Sequence, residues 1–522
     1  LGQDFAHSGF MHSSLYLLLR KLISSSAQIR IASDAVLRTL AAAGGYSTVG
    51  QFVVANADYI VDSLCRQLRH LDLNPHVPDI LASMLCYIGA SRDILPFLEE
   101  PMRAVSSELE VLGRHDHPHL TVPFLKAVFE IAKACTHESI SLPDEVQSFS
   151  VKVRSEHQAV ESLIEKRRET SVMPGTVGVD AQPDFLSLEY WEDLLCNLND
   201  MRKYRRIVAS LAGSCLSAAT PLLSSTKEAA CLVALDIVEN AVVSIAKVED
   251  AYKCENETKA VIKEAVQQLS LDELLDDMDT AEDVDGNRLL PAMNKLWPYL
   301  VICLKNKISM PIVRRCTEVL GRIIQISGGN FFVRRFHKDG YIIWRLLALS
   351  PFRRKTLSSM DEKAIILPYR NTSLTSEEPM AEISSQKIQI AVLDMITEIS
   401  SHKRSAIALE SVLKKICGLV VGIAYSGLIG LREAAIRALT GLTCMDADLV
   451  WLLLADVYHS LNQRDMPLPP IQDLVDLCDL LPPPMSSKEY LFVQYGGEGV
   501  RYDIDPSSVH EVFKKMQDTV FK

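Results

Sequence analysis

The chain has 522 residues, of which 48% are hydrophobic and 23% charged, and it carries a net charge of −12. That is room for several domains or one long solenoid, at an ordinary soluble, well-cored composition. The acidic balance argues against a general nucleic-acid surface, which needs a basic footprint to neutralise phosphates. The chain begins at Leu1 rather than Met, which reads as a fragment of a longer chain, so a missing targeting signal carries no information. Its 12 cysteines show no CxxC spacing and several sit on helical apolar stripes, as buried reduced thiols of a cytosolic or nuclear protein do.

In chain order, Phe10–Gly45 reads as a helix pair. Leu15, Leu18, Leu19 and Leu22 lead to a Ser24-Ser25-Ser26 turn, and Ile29, Ala32, Val36, Leu37 and Leu40 follow before Gly44-Gly45. Ile60, Leu64, Leu68 and Leu71 are spaced for one helix face, and further helices follow to Cys135. Residues 139–184 read as a flexible charged loop whose early part, to about Arg168, can hold a charged helix. Helices return from Phe185 and become acidic towards Met278.

The stretch Leu289–Gly329 is the clearest pair. Leu290, Met293, Trp297, Leu300, Val301 and Leu304 share one face, with Pro298 inside as an expected kink. After a turn, Pro311 restarts a helix with Ile312, Val313, Cys316, Val319, Leu320, Ile323 and Ile324 as its stripe, and Gly328-Gly329 stops it. We expect Val313, Cys316 and Leu320 to be buried and Arg314 to lie near the inter-helix turn. Residues 350–385 read as a loop, 386–460 as helices, and 461–522 as an irregular, proline-containing tail with a final helix near Ser507–Phe521. The uncharged run Ile416–Leu431 falls short of the roughly twenty residues that span a bilayer. It reads as two buried helix ends around a Tyr-Ser-Gly turn.

The second helices share a pattern. In Ile29-Arg30-Ile31-Ala32-Ser33, Val313-Arg314-Arg315-Cys316-Thr317 and Leu431-Arg432-Glu433-Ala434-Ala435, an aliphatic residue precedes Arg, a variable residue and two small ones. Ile388-Gln389-Ile390-Ala391-Val392 fits with Gln in the basic slot. Small residues let a helix approach its partner, and the Arg can reach exposed backbone at the turn. Helix pairs of roughly forty residues are the period of a HEAT-type solenoid. The reading is therefore an all-α α-solenoid of HEAT-like pairs over 1–138, 185–349 and 386–460, with a non-repetitive helical bundle as the rival.

No catalytic, cofactor-binding or metal site is assigned. His115-Asp116-His117-Pro118-His119 resembles a ligand cluster, but no second ligand group is placed by spacing, and a solvated loop is preferred. An EF-hand register on Gly286 puts Ala281 and Ala292 where acids are needed. Gly496-Gly497-Glu498-Gly499 lacks the Lys-Ser/Thr and helix of a phosphate cradle. Basic clusters at Lys203–Arg206, Arg334-Arg335 and Arg353–Lys355 lie near aromatics and read as charged outer faces rather than an acidic-partner patch.

Asn56-Ala57-Asp58-Tyr59-Ile60-Val61, with Leu68-Arg69-His70-Leu71 and Asn74-Pro75-His76-Val77-Pro78, closely resembles a signature of the large HEAT-repeat scaffold subunit of the TTT (Triple T) cochaperone complex. Leu290-Pro291 with Trp297-Pro298, then Phe331–Phe336, resembles that family's central repeat. Leu431–Ala435 with Met445–Asp448 and Trp451–Leu454 resembles its C-terminal one. The resemblance implies a non-enzymatic scaffold without cofactors that joins the telomere-length-regulation subunit and a second HEAT-repeat subunit. It implies support for the folding of PIKK-family kinases alongside the ninety-kilodalton heat-shock chaperone and RuvB-like ATPases, with no membrane and no direct nucleic acid. The expected compartment is the cytoplasm, with the nucleus second. Asn56, Asp58, Tyr59, Arg69, His70 and Pro75 are signature positions, read as structural: Asn56 or Asp58 as helix cap, Tyr59 packed with a polar tip. Candidate partner-binding anchors are Phe331, Arg334, Arg335, Trp344, Trp451 and Tyr458. A HEAT-repeat transport receptor or other solenoid adaptor is the alternative.

Overall fold

Helix follows helix along the spacing of the apolar residues. The computed structural model describes residues 9–68, 74, 76–82, 84–85, 91–99, 102, 105–106, 109, 118–170, 187–271, 274, 288–306, 309–348, 377–426, 429–461, 481, 486–495 and 498–520. Contacts divide the chain into two units, Leu1–Leu296 and Trp297–Lys522.

The first unit opens with the pair α1 (Gly9–Leu22) and α2 (Ala27–Ala43). Arg30 of α2 does what its slot suggests: its Nη1 donates to the carbonyls of Ser24 at 2.7 Å and Ser25 at 3.0 Å across the turn. The small Ser33 lets α2 approach α1, and its Oγ donates to the Leu18 carbonyl at 3.0 Å. The buried stripe of α2 is narrower than expected, because Ser33, Leu37 and Ala41 are buried while Ile29, Ala32 and Val36 are exposed. Short helices α3 (Val49–Val54), α4 (Ala57–Leu68), α5 (Val77–Ala82) and α6 (Ser91–Ile94) follow.

Three long helices complete this unit: α7 (Pro118–Thr170), α8 (Leu188–Ala219) and α9 (Glu228–Gln268), each packed on the other two. Of the segment read as a flexible charged loop over 139–184, the early part that could hold a helix to about Arg168 is helical as far as Thr170, and 171–186 lie outside the described residues. Ser139, Leu142, Val146, Ser150, Val153, His157 and Val160 form the buried stripe of this part of α7. Three of those seven positions carry polar side chains, which diluted the apolar period. By length and composition alone Leu188–Ser224 and Glu228–Gln268 could cross a membrane, but most of each apolar window is buried inside the unit.

Helix α10 (Leu289–Leu304, with Pro298 inside), of which the part from Trp297 belongs to the second unit, and α11 (Met310–Ser327) form the expected pair. Val313, Cys316 and Leu320 are buried, and the Cys316 thiol reaches the Leu300 carbonyl at 3.6 Å. Gly328 takes φ 85°, and the Gly329 amide donates to the Arg404 carbonyl. A Cβ on Gly329 would collide with the backbone of Ser405 and Ala408, so the second glycine seats a neighbouring turn. Short α12 (Val333–Lys338) and α13 (Tyr341–Trp344) lead to α14 (Glu377–Ser400), which starts inside the segment read as a loop to 385. Residues 349–376 lie outside the described residues. Gln389, the variant of the Arg slot, is buried and donates to the Leu347 carbonyl at 2.9 Å.

Helix α14 packs between α11 and α17 (Ile429–Thr443). Glycines set both approaches: Gly321 of α11 faces Met395, and Gly441 of α17 faces Ser400. A short α15 (Lys403–Ala406) precedes α16 (Leu413–Tyr425), which is wholly buried from Ile416 to Tyr425. The uncharged run thus splits between α16 and α17, as expected. Helix α18 (Ala447–Leu461) packs on both.

The tail departs from the reading. Residues expected to be irregular form an antiparallel hairpin, β1 (Tyr490–Tyr495) with β2 (Glu498–Asp503), paired from Tyr490↔Asp503 to Tyr495↔Glu498. Leu491 and Val493 are half-buried while Tyr490 and Phe492 are exposed, so aromatics on the outer face hid the alternation. A lone hairpin is marginal in water, and this one lies on α16. Val493 packs at Gly418, and a Cβ on Gly422 would fall within the Tyr502 ring. The final helix, α19 (Pro506–Thr519), matches the expectation closely.

Candidate interaction surfaces

The signature segment is a helix start held from behind. Asn56 immediately precedes α4 and is buried; its side-chain amide donates back to the Phe52 carbonyl at 2.8 Å. Its own carbonyl accepts from the Ile60 amide at 3.2 Å. Asn56 therefore ties α4 to α3 rather than capping through its side-chain oxygen. Asp58 sits exposed in the first turn, where a negative charge faces the positive helix end. Tyr59 is 40% exposed, so it presents more than a polar tip. Arg69, His70 and Pro75 lie outside the described residues.

The aromatic-basic run after Gly329 is mostly core. Trp297, Phe332, Phe336 and Trp344 form a chain of rings with successive centroids 5.9, 5.9 and 5.4 Å apart. Trp297 Nε1 donates to Asp339 Oδ2 at 3.1 Å, which orients the first ring. Gly340 admits the last, because a Cβ there would press on the Trp344 indole nitrogen. Trp344, Trp451 and Tyr458 are all buried, so none of the three presents its ring at the surface of the described structure. Tyr458 is consumed by stacking on Phe513 at 4.3 Å, which fixes α19 against α18. Large aromatics at helical spacing fill cores before they mark surfaces.

Three candidates stay at the surface. Arg334 is exposed; Phe331 and Arg335 are half-buried, with the Arg335 guanidinium 3.5 Å over the Phe331 ring. Arg335 Nη1 also donates to the Phe331 carbonyl at 3.1 Å. Burial lowers the Arg335 pKa, with Asp339 opposing. This stacked pair is a preorganised cationic-aromatic edge with Arg334 beside it.

The basic run Lys203–Arg206 is not an outer face throughout. Arg205 is buried in α8 and its Nε donates to both oxygens of Glu255 in α9, at 2.9 and 2.8 Å. Arg202 stands 3.7 Å from the same carboxylate, and Arg205 lies over Tyr252. Burial pushes the Glu255 carboxyl up, and Arg205 and Arg202 pull it back. Tyr204 donates to Glu138 of α7 at 3.1 Å, and Lys203 pairs with Asp200. Arg205 and Arg202 are thus spent joining α8 to α9, while Lys203 and Arg206 are exposed. Sequence gave no sign of this, since Glu255 is fifty residues away from Arg205. The Arg353–Lys355 cluster, the calcium-like loop and His115 and His117 lie outside the described residues, as does the His119 side chain.

One apolar side of the first pair lies at the surface, and of its residues Ile29 and Val36 were expected on the core stripe. Phe10, Leu17, Ile29, Ile31 and Val36 are all exposed, Phe10 at 77% and Ile31 at 70%.

These features define the class: a helical-repeat protein whose polar and aromatic clusters serve packing, with its remaining chemistry on exposed surfaces. Comparison with known proteins narrows it. The family described as TELO2-interacting protein 1 matches residues 15–106, which contain the signature segment. The mouse TELO2-interacting protein 1 homolog is 22% identical over 487 residues, covering 90% of this chain and 38% of that protein. The human homolog is 29% identical over 110 residues, covering 21% of this chain and 10% of the protein. The chain resembles TELO2-interacting protein 1 through most of its length and spans well under half of that relative. Among solved structures, Kap121p gives a TM-score of 0.25 at 11% identity, over 98% of this chain and 50% of that one. Importin beta gives 0.24 at 10% identity, over 88% and 51%. Scores this low carry no inference about this chain.

Proposed function

We propose that this chain is a non-enzymatic scaffold region of a TTT-type cochaperone complex. The observation that carries the reading is the alignment with the mouse relative, which runs through 90% of the chain. That relative is named for its interaction with TELO2, and the same contact is proposed here, together with a second HEAT-repeat subunit. Support for folding and assembly of PIKK-family kinases, with the heat-shock chaperone and RuvB-like ATPases acting through the complex, completes the proposal. The working compartment is the cytoplasm, with the nucleus second.

Binding strength in such a scaffold concentrates in a few aromatic and Arg anchors. After the burial of Trp344, Trp451 and Tyr458, the anchors that remain are Phe331, Arg334 and Arg335. The test is co-expression of the chain with a TELO2 subunit and the second HEAT-repeat subunit, followed by gel filtration. Co-elution is expected, weakened by Arg334→Glu. A folded chain that elutes alone from both partners overturns the proposal.

A further inference from the structure

One cluster of ligating side chains is unused by anything above. His157 and Glu161 lie four residues apart on α7, on one helix face. Glu264 of α9 joins them, and one ligand atom from each lies within 4.8 Å of the others. Just before this point the two helices are already linked by Arg154 of α7 and Glu257 of α9, at 3.2 Å. Beneath it lies apolar packing from Val153, Val160, Ile262, Ala265 and Val266.

Two features point to a ligand. The imidazole of His157 occupies a core position, 9% exposed, and its buried Nε2 has no hydrogen-bond partner. The nearest carboxylate oxygen, Glu161 Oε1, is 3.8 Å away, too far for a hydrogen bond. It is a suitable separation for two donors that share one cation. In tetrahedral zinc geometry, with bonds of about 2.0–2.1 Å, donors stand roughly 3.3 Å apart. The second feature is that two carboxylates converge on that nitrogen from different helices. The imidazole nitrogen and one oxygen from each carboxylate thus face a common point. Both glutamates are exposed, so their side chains can close the remaining distance at little cost.

We infer that His157, Glu161 and Glu264 form a site for a zinc-class divalent cation that clips α7 to α9. One imidazole nitrogen with two carboxylate oxygens suits a borderline metal better than calcium or magnesium, which take oxygen ligands. Three protein ligands leave a fourth position for water. Binding draws on geometry that exists only in the folded pair of helices, so the metal stabilises the fold by linkage. The site is independent of the scaffold reading and stands or falls apart from it.

The test uses the full chain, stripped of metal, with His115, His117 and His119 replaced by Ala throughout to remove the competing histidine run. Zinc is titrated against a chromophoric chelator, and thermal unfolding is followed with and without zinc. One zinc per chain is expected, with a higher unfolding midpoint. Glu264→Gln and Glu161→Gln, both surface changes, should each weaken binding at least about tenfold and abolish the zinc-dependent shift. His157→Gln should do the same if it folds. Cobalt in place of zinc should show the visible absorption of a four-coordinate ion, lost in Glu264→Gln. No zinc uptake, or uptake equal in the parent and both glutamate variants, overturns the inference.

Discussion

Helix α2 and helix α11 carry the same five-residue pattern and meet different fates. In α11, Ile312, Val313, Cys316, Val319, Leu320, Ile323 and Ile324 are all buried. In α2, only Ser33, Leu37 and Ala41 are, while Ile29, Ile31 and Val36 face outward. Both approach their partner helix through a small residue that donates to its backbone, Ser33 to Leu18 and Cys316 to Leu300. The difference lies on the second side. Helix α14 covers α11 there, at Gly321 and Met395, whereas α2 has no such neighbour among the described residues. The pattern encodes the pair contact; the stack decides how much of the apolar surface is buried.

The largest expected effect comes from breaking the covered side. Leu320→Ala should cost about 2–5 kcal/mol, because the buried side chain leaves a cavity between packed helices. Urea unfolding of the second unit, followed by the fluorescence of Trp297, Trp344 and Trp451, reads it out. Gly422→Val should cost roughly 1–3 kcal/mol by overpacking. Tyr502 lies where the new side chain must go, so the hairpin should detach and become sensitive to limited proteolysis while α16 stays helical.

Asp505→Ala tests the closure of the tail at about 1 kcal/mol, the usual cost of a lost N-cap. Asp505 accepts from the Ser508 amide at 3.1 Å, and hydrogen bonds from Ser508 and Ser507 hold its pKa below the usual Asp value. A depressed folded pKa gives stability that is complete above the unfolded value of about 3.9. It is lost as pH falls through the lower folded value. Protection of the α19 amides, taken relative to their intrinsic exchange at each pH, should therefore fall below about pH 4 in the parent, and this acid dependence should shrink in Asp505→Ala.

Ile31→Ala should change stability by no more than about 0.5 kcal/mol, since the side chain is already in water. A loss on the scale of Leu320→Ala would show that the side of α2 is covered after all. Thiol labelling perturbs least and reads the same contrast. Burial pushes the Cys417 thiol up to about 12, and Cys316 is buried in α11, whereas Cys444 and Cys196 are exposed. Iodoacetamide at neutral pH should modify Cys196 and Cys444 first, and Cys316 and Cys417 only on unfolding.

The signature around Asn56 was legible because it sits in one local segment, α3 to α4, whose main contact spans four residues. The partner anchors were not. Trp344, Trp451 and Tyr458 looked like surface candidates and are core, because an aromatic at helical spacing looks the same whether its face meets solvent or another helix. The buried Arg205–Glu255 pair and the His157 cluster were invisible for a related reason, since each joins residues from different long helices.

By itself the sequence determined the helices, the turns that stop them and the all-α class, since these follow from apolar spacing, Gly and Pro within a few residues. It also determined the family resemblance. Tertiary structure alone decided that the helix over 139–170 has a buried stripe rather than a solvated charged surface, since Ser150 and His157 become core only against neighbouring long helices. It likewise decided that Tyr490–Asp503 is a hairpin, since two short strands persist only where Gly418 and Gly422 give them a helix to lie on. Local propensity is carried by adjacent residues; burial is supplied by segments that the chain brings together from far away.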